Sequence, residues 1–510
     1  MIISLSVLVI TIIVSGTYAL YKAQLSKNIG VNTTTHGLAY YINYVKGTDI
    51  TAATLNPSTS YEGGASSDIE FWKKDDSYDI YGKIELTVNT IGTNLSNSPA
   101  LKYAVVNNGN VLSTGSLKGT TSGSKVTILK NLYLEQTKQI YTVYVWLDNS
   151  EELGNISNES LSISVDCTAS LQKEPTAADT IISLYTSAAK VTATNNSITY
   201  NTAPSVSLMN DRLGGTTTDL DGGNIRYYGA NPNNYIYFNC SDYSNQTSST
   251  CETWRIIGVF DGKLKLIRGS QIGKYSWDNK NKSTGAENNS GKNDWTTARL
   301  MKLLNPSDYY TVDSNDNNLG QSLYYNSASG KCYSGQNNAT VDCDFTSTGI
   351  KNEETRNMIA ETTYNLGGWN TFTVYPNEIY EYERGTTVYT GRPTTPWTGK
   401  IALAYTSDYG YAADLNQCKD KTLYDYNNST CTSNNWMKAI ITNNGSNSGW
   451  LLTPYSSTSG TVWAVRSLGG VGYGYSAYYA IGAVPVLSLS SKLGIESGDG
   501  SSSNPYKLSA

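Results

Sequence analysis

The chain has 510 residues, enough for two or three domains with separate hydrophobic cores. Its 37 Lys and Arg against 42 Asp and Glu give a net charge of -5, so nothing in the charge balance favours nucleic acid as a partner. Only 15% of residues are charged, whereas Asn, Ser, Thr and 41 Tyr are abundant. This composition is typical of a secreted, turn-rich β protein.

The N-terminus carries a continuous apolar run, residues 1–14, followed by the small residues of Ser15-Gly-Thr-Tyr-Ala19. The run is short for a membrane span but suits the core of a signal peptide cleaved near Ala19. No Lys or Arg precedes it, as a signal peptide would have. We therefore assign residues 1–19 to a signal peptide or, if the segment is retained, a membrane anchor.

Residues 20–170 show the period-two pattern of half-buried strands. Ile84, Leu86 and Val88 alternate with polar residues, and short turns separate such runs at the spacing of a β-sandwich. The Gly-Thr-Tyr-Ala ending of the leader, together with this rhythm of strands, resembles TasA and camelysin type proteins. The resemblance implies a β-sandwich that is either a plain stalk or a fibre subunit.

Residues 171–224 are predicted to form a helix and a linker. Pro175 suits a first helical turn, and apolar residues recur at helical spacing from Ile181 to Tyr185. An Asn/Thr/Ser-rich stretch follows, which is typical of a linker. We place the domain boundary there, so that the larger domain covers residues 225–510.

The cysteines form three local couples, each of which encloses a polar segment with few apolar residues of its own. The spacing predicts three disulfides, each worth about 3 kcal/mol, and hence an oxidising compartment. Cys167 remains, either free or bridged to another chain. Metal ligation would need closer cysteine spacing or histidines, and the chain has only His36. The predicted pairs are Cys240 with Cys251, Cys332 with Cys343, and Cys418 with Cys431.

The larger domain begins with strand patterns at Asn234–Cys240 and Thr253–Phe260. An Asp261-Gly262 turn follows between two apolar alternations and predicts a β-hairpin. Caps and breakers predict two helices, Trp295–Leu304 and Glu353–Leu366. The domain is therefore expected to be α+β.

The stretch Gly449–Ser490 contains three short apolar runs separated by loops of Ser, Gly and Tyr. Tyrosine offers a large, rigid face with a polar tip, and glycine lets the backbone conform to a partner. A Tyr-rich hairpin that packs its own rings is the alternative. The candidate ligand-binding residues are Trp463, Arg466, Tyr473, Tyr475, Tyr478 and Tyr479.

The same stretch carries a resemblance. It is similar to the C-terminal domain of uncharacterised Gram-positive surface proteins. Three motifs carry the similarity: Trp-Leu-Leu-Thr-Pro from Trp450, Val-Trp-Ala-Val from Val462 and Ala-Val-Pro-Val-Leu-Ser-Leu from Ala483. That domain resembles the C-type-lectin-like fold of formylglycine-generating enzymes and of retroelement-diversified proteins. The resemblance implies a ligand surface on the last strands. Val484 stands where the family usually has Arg, and no reactive cysteine pair follows Cys431, so the enzyme activity is not implied.

The residues offer little for catalysis or for metals. The sole histidine lies outside the larger domain, which removes the usual base for a Ser or Cys nucleophile. Asp313–Asn317 begins like a calcium loop, but Asn318 replaces the required Gly and Tyr324 stands at position twelve. We expect no cofactor and no metal. Carboxylates that a hydrolase would need are Asp278, Glu287, Asp294, Glu378, Glu381, Glu383 and Asp408.

A second aromatic cluster extends from Tyr380 to Trp397 and contains Tyr382, Arg384, Tyr389 and Arg392. Flat aromatic faces stack on sugar rings, but the same residues can equally fill a loop-rich core.

Together these features predict a mainly β chain with a few helices, in which a β-sandwich precedes an α+β C-type-lectin-like domain. The expected role is that of a secreted or cell-surface binding protein, adhesin-like rather than an enzyme, that recognises an extracellular protein or glycan. Two alternatives stay open, a structural matrix or pilus-like fibre subunit and a carboxylate-dependent hydrolase.

Overall fold

The computed structural model describes residues 23–25, 41–51, 55–151, 153–156, 159–214, 222–311, 319–389, 392–393 and 396–509. Only the backbone is described for residues 23–25, 387–389, 392–393 and 473. The predicted leader, His36 and the calcium-like loop lie outside the described residues. The chain divides into two units, Met1–Glu174 and Pro175–Ala510. Among the described residues, no helix is long and apolar enough to cross a membrane.

The first unit is built mainly from antiparallel strands, with one described α-helix, α1 (Thr93–Asn97). The strands are β1 (Ala23–Leu25), β2 (Ile42–Val45), β3 (Ile50–Thr51), β4 (Pro57–Ser58), β5 (Ala65–Lys73), β6 (Tyr81–Ile91), β7 (Leu101–Asn107), β8 (Asn110–Ser116), β9 (Lys125–Tyr133), β10 (Ile140–Asp148) and β11 (Leu161–Ser170).

These strands form two sheets that enclose one core. One sheet has the order β1-β11-β6-β9 with β3 also on β11, and the other has the order β2-β5-β10-β7-β8 with β4 parallel to β10. Ile84, Leu86 and Val88 point from β6 into the core, which Phe71 and Val143 enter from the other sheet, and all five are fully buried. The predicted β-sandwich is confirmed, because alternate residues of each sheet face inward.

The second unit begins with helix α2 (Ala177–Ser187). Its further helices are α3 (Arg299–Leu304), α4 (Glu353–Met358), α5 (Pro376–Glu383), α6 (Thr406–Tyr411), α7 (Ser429–Ser433) and α8 (Trp436–Ile441). Its strands are β12 (Val191–Asn195), β13 (Ile198–Ala203), β14 (Leu208–Asn210), β15 (Ile225–Tyr227), β16 (Tyr235–Phe238), β17 (Glu252–Phe260), β18 (Lys263–Arg268), β19 (Gly273–Tyr275), β20 (Ser329–Tyr333), β21 (Thr340–Asp344), β22 (Thr362–Tyr364), β23 (Thr387–Tyr389), β24 (Arg392–Pro393), β25 (Trp397–Gly399), β26 (Ile401–Ala402), β27 (Gly449–Pro454), β28 (Thr461–Val465), β29 (Val471–Ser476), β30 (Ile481–Ala483), β31 (Val486–Ser488), β32 (Gly494–Ser497) and β33 (Lys507–Ser509).

Two larger sheets organise the described part of the second unit. One has the order β12-β13-β14-β15-β17-β18-β31-β26 with β16 also on β17, and the other has the order β19-β30-β27-β28-β29. The predicted Asp261-Gly262 hairpin joins β17 and β18. Both turn residues have positive φ, 48° and 70°, as a two-residue hairpin turn requires. With its many antiparallel strands and few helices, the chain is mainly β, as predicted.

The second unit begins earlier than the sequence predicted. Helix α2 lies in the predicted region, and Thr176 and Asp179 form a capping box at its start. However, Ile181 and Tyr185 pack into the core of the second unit, and the stretch predicted to be a linker supplies β12, β13 and β14 of its larger sheet. Polar residues are accommodated in these strands through backbone contacts. The buried Asn195 amide, for example, donates to the carbonyl oxygens of Cys418 and Lys419.

The two helices predicted inside this unit are shorter than expected. Trp295–Thr297 forms a 3-10 turn, and the α-helix begins only at Arg299. Helix α4 ends at Met358, and the rest of its predicted range contains β22, which pairs with β25. Thr362 and Thr363 favour this extended pairing because their branched side chains suit a strand better than a helix.

Three disulfide bonds lie among the described residues and join the predicted pairs, Cys240–Cys251, Cys332–Cys343 and Cys418–Cys431. The enclosed segments are rich in polar residues, but two of them also supply buried side chains: Tyr243 lies in the first, and Leu423 and Tyr426 lie in the third. The pairing indicates folding in an oxidising environment. Cys167 is a free thiol on β11, fully buried in the core of the sandwich.

Candidate functional site

The predicted ligand-binding residues lie on or beside one hairpin, formed by β28 and β29. Strand β29 is the edge of its sheet, and the hairpin closes where Val465 pairs with Val471. At the opposite end of β29, Tyr475 pairs with Val462. The hairpin therefore has two separate ends, a turn at Arg466–Gly470 and a tyrosine-rich end at Tyr475–Tyr479.

Trp463 does not belong to a ligand surface, contrary to the prediction. Its side chain is fully buried in a core cluster, and its indole Nε1 donates a hydrogen bond to the carbonyl oxygen of Trp369 at 3.2 Å. Tyr455 packs edge-on against the same ring. A ligand cannot reach Trp463, so its role is to hold β28 in the core.

Three of the predicted tyrosines form a cluster that we call the tyrosine rim: Tyr475, Tyr478 and Tyr479. The ring of Tyr479 lies 4.8 Å from that of Tyr478 and 6.1 Å from that of Tyr475, nearly perpendicular to both. The side chain of Tyr473 lies outside the described residues. The rim is thus a set of edge-to-face contacts, the favoured arrangement of aromatic pairs.

The rim combines an anchored base with an exposed edge. The Tyr475 hydroxyl shares a hydrogen bond with Ser448 Oγ at 3.0 Å, and its ring packs against Trp450. Tyr479 is 40% exposed. A hydrogen bond with Tyr478 raises the pKa of Tyr479, and a tyrosine hydroxyl is neutral at physiological pH even at its ordinary pKa of about 10. The exposed ring is consequently an uncharged, amphipathic face on a fixed support.

Arg466 lies at the other end of the hairpin and contacts different aromatic residues. Its guanidinium lies over the ring of Tyr424, 4.8 Å from the centroid, and Tyr424 in turn packs against Phe372. The side chain also crosses Gly472, where an added Cβ would lie 2.3 Å from Arg466 Nε. Gly472 therefore leaves the space in which Arg466 lies flat on the sheet.

The turn Arg466–Gly470, which we call the β28–β29 tip, presents a residue that the sequence analysis missed. Leu468 is 70% exposed, although it is apolar. The signal available in the sequence was an apolar residue directly before Gly469-Gly470, a pair typical of turns. No sequence pattern identified two neighbours of this hairpin, Tyr424, which packs against Arg466, and Lys438, which lies close to Gly469. Both residues come from distant segments of the chain.

Asp408, one of the seven acidic residues considered for a hydrolase, is engaged in ion pairs inside the fold. Asp408 is 1% exposed and binds two buried cations, Arg226 through Oδ1 at 2.9 Å and Lys265 through Oδ2. Burial would raise the pKa of Asp408, but Lys265 and Arg226 outweigh it and hold that pKa below its usual value. Asp408 is therefore a buried carboxylate in an ion-pair network that also includes Asp211.

Other candidate carboxylates also serve the fold. Glu383 is fully buried and accepts hydrogen bonds from Ser407 and Thr453, and burial raises its pKa. Asp294 caps the 3-10 turn by accepting from the amide of Thr296. Glu378 accepts from the amide of Tyr375 and so caps α5. Each of these three carboxylates accepts hydrogen bonds that stabilise the fold.

The second aromatic cluster is mainly structural. Trp397 is 5% exposed and packs against Tyr364 and Trp295. Tyr382 stacks flat on Trp369, with ring centroids 3.5 Å apart. The side chains of Tyr389 and Arg392 lie outside the described residues. Within the ranges that the structure describes, no group of three or more His, Cys, Asp and Glu could hold a metal ion.

No protein-family model and no curated protein matches the chain. Solved structures with weak similarity include the receptor-binding domain of botulinum neurotoxin mosaic serotype C/D, with 12% identity, a TM-score of 0.15, and coverage of 52% of this chain and 75% of that one. An HCR/D mutant shows 11% identity, a TM-score of 0.15, and coverage of 51% and 76%. These similarities are too low to assign a fold or a function.

Proposed function

We propose that this chain is an extracellular binding protein that recognises a protein or glycan ligand through the tyrosine rim. The observation that carries the proposal is the exposed ring of Tyr479, held edge-to-face by Tyr478 and Tyr475. Because the supporting rings are packed before a ligand arrives, little conformational entropy is lost on binding. Rigid, exposed tyrosines of this kind are frequent binding hot spots.

The rest of the molecule supports an extracellular setting. The three disulfides indicate an oxidising environment, and the first unit is a sandwich suited to a stalk. We propose secretion or display on the cell surface, with a tether if residues 1–19 are retained. Kinship of the second unit with C-type-lectin-like surface domains is part of the same proposal, and it rests on the motifs around Trp450, Val462 and Ala483.

Neither alternative function gains a specific supporting observation. A fibre subunit would be favoured by a free N-terminal strand, but β1 pairs with β11 of the same chain, Ala23 opposite Ala169. A hydrolase would be favoured by two carboxylates facing a cleft, but Asp408 and Glu383 are both buried. We therefore propose binding rather than catalysis.

The experiment that tests the proposal is a ligand search with the full chain. The protein would be applied to a glycan array and to surface-protein extracts, together with a Tyr478→Ala/Tyr479→Ala variant and a Tyr78→Ala control. Tyr78 is a matched control because it is 44% exposed and lies in the first unit. Ligands retained by wild type and control but lost by the rim variant support the proposal. Equal capture by all three proteins, or capture by none, contradicts it.

A further inference from the structure

The β28–β29 tip combines an exposed apolar side chain with two basic residues, one in the turn and one on a neighbouring helix. Leu468 has the greatest exposure, 70%, of the large apolar residues described as exposed. Arg466 begins the same turn, and Lys438 of α8 flanks it. A Cβ added at Gly469 would lie 3.4 Å from Lys438 Cγ, and one added at Gly445 would lie 3.6 Å from Lys438 Nζ.

The tip is held rigidly from below. The Arg466 amide donates to the carbonyl oxygen of Gly470 at 2.9 Å, and the Gly469 amide donates to that of Arg466 at 2.7 Å. The hydroxyl of the buried Tyr409 donates to the carbonyl oxygen of Gly469 at 2.6 Å. Gly469 has a φ of 102°, which a side-chain-bearing residue would adopt only with strain. Leu468 is thus projected by a fixed turn.

The two cations are not neutralised within the described structure. Of the carboxylates described, none lies within ion-pair distance of Arg466 or Lys438. This is notable in a chain whose net charge is -5. The guanidinium of Arg466 is already oriented by Tyr424 and by the gap at Gly472. A stacked guanidinium keeps its N–H groups at the ring edge, where they can pair with a carboxylate through two hydrogen bonds.

We infer that the β28–β29 tip is a second contact surface, and that it takes an acidic and apolar polypeptide segment of a protein ligand. Leu468 would enter an apolar pocket of the partner, while Arg466 and Lys438 pair with its carboxylates. A protein fits better than a glycan, because sugars stack on flat aromatic faces and Leu468 offers a projecting aliphatic group instead. The inference rests on the proposed function and names the class of partner.

The test uses the full chain and synthetic peptides in which Asp and Glu alternate with Leu and Phe. Matched peptides carry Lys in place of the acids, and oligogalacturonate serves as an anion without apolar side chains. We expect binding to the acidic peptides alone. The affinity should fall about tenfold or more in Leu468→Ser and in Arg466→Gln, and it should also weaken with rising salt. Lys331→Gln is the control, since Lys331 is 50% exposed on another hairpin.

The outcomes separate this inference from the proposed function. Three results would overturn the inference. The first is absence of binding to the acidic peptides, and the second is equal binding to the Lys peptides. The third is equal binding to oligogalacturonate that Leu468→Ser leaves unchanged. If Tyr478→Ala/Tyr479→Ala loses the ligands found in the array and extracts while Leu468→Ser and Arg466→Gln keep them, the rim is the site and the tip is not. If the rim variant keeps them as well, the proposed function fails too. Unchanged thermal unfolding of Leu468→Ser shows that the variant is folded.

Discussion

Arg226 Nη1 donates a hydrogen bond to Asp408 Oδ1 at 2.9 Å, and both side chains are only 1% exposed. The second oxygen of Asp408 contacts Lys265 and accepts from the Tyr405 amide. The Asp408 carboxylate on α6 thereby forms ion pairs with both β15, through Arg226, and β18, through Lys265. The network compensates two charges that would otherwise be costly to bury.

Replacement of Asp408 by Asn should destabilise the second unit by about 3–5 kcal/mol, because Arg226 and Lys265 would lose their shared carboxylate inside the protein. Urea unfolding measures the change. Asp342→Asn is the control, since its pair with Lys331 is exposed and should contribute less than about 1 kcal/mol. Equal stability of the two variants would show that the buried network carries no net stabilisation.

The protein should lose stability in strongly alkaline solution. Burial raises the pKa of Tyr200 to about 12 and, likewise, that of Tyr141 to about 12. Unfolded tyrosine titrates near pH 10. Their contribution to stability is therefore complete below about pH 10 and is lost as the pH rises toward 12. Absorbance at the tyrosinate band should rise together with unfolding. Full ionisation at pH 10 in the folded protein would be the opposite result.

Cys167 should be inert toward thiol reagents while the sandwich is folded. The thiol is fully buried, and burial is the main reason that its pKa is raised well above the usual value. Since the thiolate is the reactive form, labelling requires unfolding. We expect about one equivalent of label only after denaturant is added. Rapid labelling in buffer would mean that β11 opens readily or that Cys167 is exposed.

A fragment covering residues 175–510 should fold, and one that begins at residue 201 should not fold stably. The shorter fragment lacks α2, whose Ile181 and Tyr185 are 0% and 1% exposed in the core. Loss of their burial alone should cost about 3–6 kcal/mol. Circular dichroism and thermal unfolding of both fragments measure this. A cooperative transition at the same temperature in both would show that α2 is dispensable for the core of the second unit.

Local patterns predicted much of the fold. The alternation around Ile84 and Leu86 identified the sandwich of the first unit, and the Asp261-Gly262 pair identified the β17–β18 hairpin of the second unit. Both were predictable because each signal is contained within a few residues. The cysteine couples were predictable for the same reason. Residues 191–210 were not, because their polar side chains are typical of loops when the backbone partners on distant segments are unknown.

The site was predicted less completely. Trp463 lies on a strand that is buried on both faces, so period-two alternation could not tell an inward residue from an outward one. Tyr475, Tyr478 and Tyr479 do meet, as expected of neighbours on one hairpin. Arg466 instead meets Tyr424, a contact between distant segments that only the tertiary structure defines.

The most direct test of the binding role is the dissociation constant of the full chain for a ligand recovered from the array or extracts, compared between wild type and Tyr478→Ala/Tyr479→Ala. The tyrosine rim predicts weakening of about tenfold or more, with unchanged thermal unfolding. An identical dissociation constant in a folded variant would show that the exposed ring of Tyr479 touches no ligand.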